Sequence, residues 1–412
     1  MPKLLGLRCR ECGTEYELQA THVCEVCFGP LDAVYDYASL KKKVTRQSIE
    51  SGPKSIWRYR DLLPVEDGTP VVTLGEGFTP LVKADRLGAE LGLKNLYLKN
   101  DSMNPTNSFK DRVVSVAISF ARSMGFETIA CASTGNLANA VAAYSARAGL
   151  ECYVFIPFDL EPAKVVSIGV FDPNLVVVNG NYDDVNRLCS QLLESTPWAF
   201  CNINIRPFYA EGSKTLTFET AEQLGWKLPD EIIIPVASGC QFVRHRQAVR
   251  ELIDFGLVRE DRSPALTGAQ ALGCAPVYNA FHSDQPERVM PVKPNTIARS
   301  IAIGNPSDGI YVNRIARETG GTVEAVTEDE IVDAIRLLAR TEGIFTETAG
   351  GVTIGVLSKL ARAGRWRGDE TVVAYVTGHG LKTADVLASR NGHGRRVEIE
   401  PTMKSFREKV QI

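Results

Sequence analysis

The stretch ETIACASTGNLANAVAAYSARAGLECYVFIP, residues 127–157, reads as an apolar strand, a polar turn, an alanine-rich helix and a second apolar strand. Short continuous apolar runs joined through a helix predict parallel strands covered on both faces, because a strand that returns parallel needs a long crossover. The same alternation continues outward. VVSVAISFARSMG at 113–125 has helical periodicity, NLVVVNG at 174–180 reads as a strand, and further strands follow at EIIIPVAS (231–238), ALTGAQA (265–271) and TVVAYVTG (371–378). Two sets of strands predict an α/β protein of two wound parallel-sheet lobes, with the site in the crevice where strand ends meet. The expected organisation is a small module at 1–37, a linker or arm at 38–70 and a body at 71–412. Within the body, a small lobe takes about 100–215, a large lobe takes 71–99 and 216–390, and 391–412 form a tail.

A chain of 412 residues, 44% hydrophobic and 23% charged, is too long for one ordinary core and long enough to enclose a site between two. Its formal net charge of -3, with no long block of one sign, supplies no electrostatic reason to bind nucleic acid or a membrane surface, and a small-molecule substrate fits better. The opening MPKLLGLRCRECG lacks the apolar core of a signal peptide, and no stretch reaches the roughly 18 apolar residues of a membrane helix. A soluble, cytoplasmic protein is expected. Disulfides are not, in that setting.

Four of the ten cysteines stand in paired spacing at Cys9, Cys12, Cys24 and Cys27. Two Cys-x-x-Cys knuckles each present two thiolates from a tight turn, and four such ligands complete a tetrahedral zinc site with no open position. The expectation is a structural zinc ribbon; the alternative is four reduced cysteines that merely cluster. His22 is redundant beside a complete cysteine set.

Four segments carry the candidate chemistry. In NPTNSFKDR (104–112), Lys110 ends a polar turn and begins an apolar helix, where partial desolvation favours the neutral, nucleophilic amine; the plainer reading is a helix-start lysine paired with Asp111. Ser133-Thr134-Gly135-Asn136 joins a strand end to a helix start, which suits an anion such as a substrate carboxylate and equally suits an ordinary cap. Ala237, Ser238, Gly239, Cys240 and Gln241 form a small-residue loop whose main-chain N–H groups are suited to close around a phosphate. Thr377, after the strand TVVAYV, offers a hydroxyl at a strand's carboxyl end or is simply part of a turn.

Taken in this order, these segments resemble the fold type II pyridoxal-phosphate enzymes, relatives of the tryptophan synthase β chain, and among them the threonine synthase family. The phrases that carry the resemblance are LGEGFTPL (74–81), NPTNSFKDR (104–112), STGNLANAVAAY (133–144), NIRPFYAEGSKT (204–215), IAIGNPSDG (301–309), ETAGGVT (347–353) and TGHGLKT (377–383). The resemblance implies that Lys110 holds pyridoxal 5'-phosphate covalently and moves protons in turnover. It places Asn136 at the cofactor's 3-oxygen, residues 237–241 around its phosphate and Thr377 at its ring nitrogen. Thr79, Ser133, Thr134 and Asn204 would serve the amino-acid substrate, and Arg206 and Lys214 its phosphate. The implied reaction takes O-phosphohomoserine and water to threonine and phosphate, in a homodimer. Two departures leave other substrates open, as in a serine or threonine dehydratase or a cysteate synthase. Asn107 stands where many relatives have glycine, and the loop ASGCQ is followed by FVRHRQAV, in which Arg244, His245 and Arg246 are expected as a solvated helix face. A zinc-ribbon binding protein with an inactive enzyme-like body is the alternative from another class.

Overall fold

Three sheets organise the chain in the computed structural model, which describes residues 3–133, 135–158, 160, 162–180, 182–259, 262–388 and 397–410. The first sheet is antiparallel: β1 (Leu4–Cys9) lies between β2 (Glu15–Tyr16) and β3 (Leu31–Tyr35). The rest of the chain supplies β4 (Leu81–Lys83), β5 (Asn95–Asn100), β6 (Thr128–Ala132), β7 (Glu151–Pro157), β8 (Asn174–Val178), β9 (Ala199–Phe200), β10 (Glu231–Pro235), β11 (Ala265–Ala271), β12 (Val323–Val326) and β13 (Thr371–Val376).

Strands β6 to β9 form a parallel sheet ordered β8-β7-β6-β9. The other six form a sheet ordered β12-β11-β10-β13-β5-β4, parallel except at the β4 edge. Every residue of β6 and of β10 is buried, as strands covered on both faces must be. Helix Lys110–Ser123 is buried from Asp111 to Ala121, which is why its sequence is apolar nearly all round. Helix Asn136–Ala148 ends at Gly149, whose φ of 66° closes the last turn in the left-handed region where glycine carries no Cβ penalty.

Four charged residues inside the body compensate one another. Arg112, wholly buried, sends Nε to Asp101 Oδ2 at 2.7 Å, Nη1 to Glu219 Oε1 at 2.6 Å and Nη2 to Glu219 Oε2 at 2.7 Å. Lys99 Nζ lies 2.7 Å from the same Glu219 oxygen. Two cations thus face two anions. Burial pushes the Glu219 carboxyl up, but Arg112 and Lys99 outweigh it and hold the group at about 2.

The basic triplet 244–246 departs from the expected solvated face. Arg244 and His245 are 2% and 0% exposed, because the helix Cys240–Asp254 turns that face inward. Arg244 meets Asp32 at 2.7 Å and Glu211 at 3.1 Å, while His245 Nδ1 is 2.6 Å from Thr217 Oγ1. Only Arg246 stays on the flank, 20% exposed.

Arg112→Met is expected to destabilise the protein by about 3–5 kcal/mol, since it leaves two carboxylates and an ammonium unbalanced in the interior. Urea unfolding followed by circular dichroism measures this, and a loss below about 1 kcal/mol would show that the group is not held as described.

Candidate active site

Lys110 is set by the turn before it. Asn107 has a φ of 60°, in the left-handed region that asparagine tolerates better than other residues with a side chain, so it can stand where a glycine would otherwise be needed. Its carbonyl accepts from His379 N at 3.0 Å, and Phe109 N donates to Thr377 O at 2.9 Å, which pins the turn to the end of β13. The Lys110 amine then lies 3.1 Å from the Tyr209 hydroxyl and 4.6 Å from the centre of the Phe109 ring. Burial lowers its pKa to about 8, against the weaker opposing pull of Cys240 and Glu347. The alternative pairing with Asp111 is not made. That carboxylate instead accepts from Thr106 N and Oγ1, at 2.7 and 2.6 Å.

Across the crevice, Asn136 begins its helix and donates its side-chain amide to both oxygens of Glu347, at 3.0 and 3.1 Å. Glu347 is 2% exposed, and burial raises its pKa. Gly378 leaves it room: a Cβ there would come within 2.3 Å of Glu347 Oε1. The Ser133 hydroxyl accepts from Gly135 N and Ala138 N, which ties the turn to the first turn of the helix Asn136–Ala148. Thr134 lies outside the described residues.

The loop 237–241 follows β10 and opens the helix Cys240–Asp254. Gly239 adopts a φ of 91°, and a Cβ on it would lie 2.8 Å from Val312 and 3.0 Å from Asp308. Among the described residues no side chain caps this helix, so its first N–H groups face the loop with the positive end of the helix dipole. A glycine that only glycine can replace and an uncapped helix start are the donors a phosphate group requires, and Ala237, Ser238, Cys240 and Gln241 around them are only half-buried. The amine of Lys110, near Cys240 at the start of that helix, completes a set that fits pyridoxal phosphate.

Other candidates lie elsewhere. Lys214 is fully buried and bonds Glu211 at 2.7 Å and Glu251 at 2.9 Å, so its charge is consumed in the interior and is not available to a substrate phosphate. Asn204 accepts from Phe200 N and donates to Trp198 O, holding a turn. Thr79 Oγ1 donates to Asp101 at 2.7 Å and accepts from Arg112 at 3.1 Å, beneath the site. Arg206 bonds Ser307 at 2.7 Å and pairs with Asp308. Conversely, Tyr209, Glu347 and Lys382 stand at the site without having been singled out in the sequence, although each lies inside a phrase that carried the family resemblance. Lys382 Nζ lies 3.1 Å from Asn139 Oδ1 and senses both Glu347 and Asp111.

Away from the crevice, the sulfur atoms of Cys9, Cys12, Cys24 and Cys27 lie within 4.8 Å of one another, with Cys9–Cys27 at 3.4 Å and Cys12–Cys24 at 3.6 Å. A tetrahedral zinc with ~2.3 Å bonds to sulfur sets sulfurs about 3.8 Å apart, so the spacing fits the ion. A Cβ on Gly29 would sit 2.9 Å from Cys9 Sγ, which is why the second knuckle needs glycine there. All ten cysteines are free of disulfides.

Comparison with known proteins agrees with this geometry. Residues 72–378 match the profile of the family described as pyridoxal-phosphate dependent enzyme. A threonine synthase of Methanocaldococcus jannaschii is 38% identical over 95% of this chain and 96% of its own length, and one of Methanosarcina acetivorans is 40% identical over 91% and 92%. Among solved structures, a fungal L-serine ammonia-lyase from Rhizomucor miehei superposes with a TM-score of 0.65 at 22% identity, covering 76% of this chain and 97% of that one. Maize serine racemase gives 0.64 at 19%, covering 76% and 92%. These last two speak to the fold alone.

The lowered pKa of Lys110 has a direct readout in the cofactor-free protein. Its neutral fraction grows as pH rises through about 8, whereas ordinary lysines titrate near 10.4. Labelling with an amine-reactive reagent, resolved by peptide mass spectrometry, should show Lys110 reacting with a midpoint near pH 8; a midpoint above 10 would contradict the burial argument.

Proposed function

The chain belongs to the pyridoxal-phosphate dependent enzyme family and, within it, to the threonine synthases, and from that premise we propose that it converts O-phosphohomoserine and water to L-threonine and phosphate. The observation that carries the reading is the desolvated Lys110 amine, set in the crevice beside the 237–241 loop and Glu347. In this reading the N–H groups of 237–241 hold the cofactor's phosphate, Asn136 faces its 3-oxygen and Thr377 its ring nitrogen. A hydroxyl at that nitrogen, unlike a carboxylate, leaves it largely unprotonated. When bound, pyridoxal phosphate supplies the electron sink that makes protons on the substrate's α and β carbons removable.

The chain's own residues do the rest. Lys110, with a pKa near operating pH, accepts and returns those protons at Nζ. Tyr209, 3.1 Å away, orients that nitrogen. Ser133 and the helix start at Asn136 receive the substrate carboxylate. Arg206 and Lys382 are the candidate cations for the leaving phosphate; Arg206 pairs with Asp308, whereas Lys382 bonds the Asn139 amide. Zinc on the four cysteines is structural in this reading, supported by their spacing. The reading includes a cytoplasmic homodimer, which rests on the family resemblance. Among the described residues, no helix is long and apolar enough to cross a membrane.

Purified protein supplied with the cofactor should release phosphate and threonine in equal amounts from O-phosphohomoserine. Lys110→Ala should lower the rate by about 10³-fold or more and abolish the visible absorbance of the lysine-linked cofactor. If phosphate is released from O-phosphoserine but not from O-phosphohomoserine, the substrate assignment is wrong.

A further inference from the structure

A continuous set of ion pairs and hydrogen bonds joins the four-cysteine module to the loop 237–241, although the two are more than 200 residues apart in sequence. It begins at Arg10, inside the first knuckle between Cys9 and Cys12. The backbone there is tightly held: Cys9 N donates to Thr14 O at 2.9 Å, Gly13 N to Cys9 O at 3.1 Å and Arg10 N to Pro30 O at 3.0 Å. The position of Arg10 therefore depends on both knuckles.

The Arg10 guanidinium is shared between two carboxylates. Nε and Nη2 reach Asp32 at 2.9 and 2.6 Å, Nη1 reaches Asp308 at 2.8 Å, and the group lies 4.6 Å from the centre of the Tyr311 ring. Asp308 is 2% exposed and takes Arg206 on its other oxygen. Its main-chain N–H donates to Ser238 O at 2.8 Å, and its Cβ lies where a side chain on Gly239 would go. One end of Asp308 is thus tied to the knuckle and the other to the loop. Asp32 makes a second tie, through Arg244, one turn into the helix that the loop opens.

These contacts are more specific than docking requires. The module is also anchored by Tyr35 to Glu211 at 2.8 Å and by Tyr37 to Glu251 at 2.6 Å, through residues outside 237–241. The Arg10–Asp308 pair differs in holding the residue whose main-chain N–H meets the carbonyl of Ser238, and so it bears on the direction in which the adjoining N–H groups point. Fixing them beforehand removes an ordering cost that a bound phosphate would otherwise meet.

We propose that Arg10 is a positioning residue through which the metal-loaded cysteine module sets the grip of the 237–241 loop on the cofactor's phosphate. The proposal rests on the cofactor and metal assignments made above.

The test is a titration of pyridoxal phosphate into cofactor-free protein, read by visible absorbance and tryptophan fluorescence, with metal content measured in the same samples. Arg10→Ala should weaken cofactor binding about tenfold while retaining its metal, within the usual size of a coupling between sites. Arg10→Lys, which can meet only one carboxylate well, should recover part of the loss. Arg8→Ala, in the same module but paired with exposed Glu15, should bind as the parent does. Removing metal from the parent with a chelator should weaken binding by a factor similar to that of Arg10→Ala, and removing it from Arg10→Ala should add little, because both act through one contact. Asp308→Asn, which keeps the side chain's volume, serves if Arg10→Ala fails to fold and should shift binding the same way. Parental affinity in a metal-loaded Arg10→Ala, or losses from chelation and substitution that multiply, would overturn the link alone. A parent protein that takes up no cofactor would overturn the function reading with it.

Discussion

The enclosure of Arg112 is the constraint on which the arrangement turns. A guanidinium cannot be removed from water unless its donors and its charge are met, and here Asp101 and Glu219 meet both, with Lys99 balancing the second carboxylate. Asp101 follows the end of β5, Glu219 sits on the helix Lys214–Gln223, and Arg112 lies in the first turn of the helix that starts at Lys110. The ion group therefore ties three elements at one point, and Lys110 emerges from that point two residues away. A nucleophile that must hold its position within a fraction of an ångström is built on the most strongly constrained turn of the body.

The contrast between lysines makes the chemistry intelligible. Lys99 and Lys214 are wholly buried where Lys110 is half-buried, and each bonds a carboxylate at 2.7 Å. Lys110 bonds a hydroxyl instead, and Glu347, the carboxylate in its neighbourhood, is occupied by the Asn136 amide. Burial without a paired anion favours the neutral amine.

Much of the fold was legible because its signals are local. The apolar runs of β6, β7, β10 and β13 announce strands buried on both faces, and Cys-x-x-Cys spacing announces its own turn geometry. The helix start at Lys110 was legible for the same reason. What stayed hidden depends on partners distant in sequence. Arg244 reads as solvent-facing in FVRHRQAV, since nothing nearby discloses that Asp32 and Glu211 will meet it. Lys214 reads as a free cation until Glu251 is seen to close on it, and Tyr209 is one more apolar residue in a helix until its hydroxyl is found beside an amine. Periodicity reports which face is buried, not what waits on the other side.

The strand order also dictates a schedule for synthesis on the ribosome. The four strands of the smaller sheet occupy a contiguous stretch between Thr128 and Phe200, so that sheet can close while the chain is still being made. In the larger one, β5 waits for β13, whose residues Thr371–Val376 emerge nearly 300 positions later, after β10 and β11. Until then the apolar flank of β5 has no parallel neighbour, and the nascent chain carries an unpaired edge of the kind that aggregates or recruits chaperones. Truncation near the carboxyl end would consequently strand a segment made near the beginning.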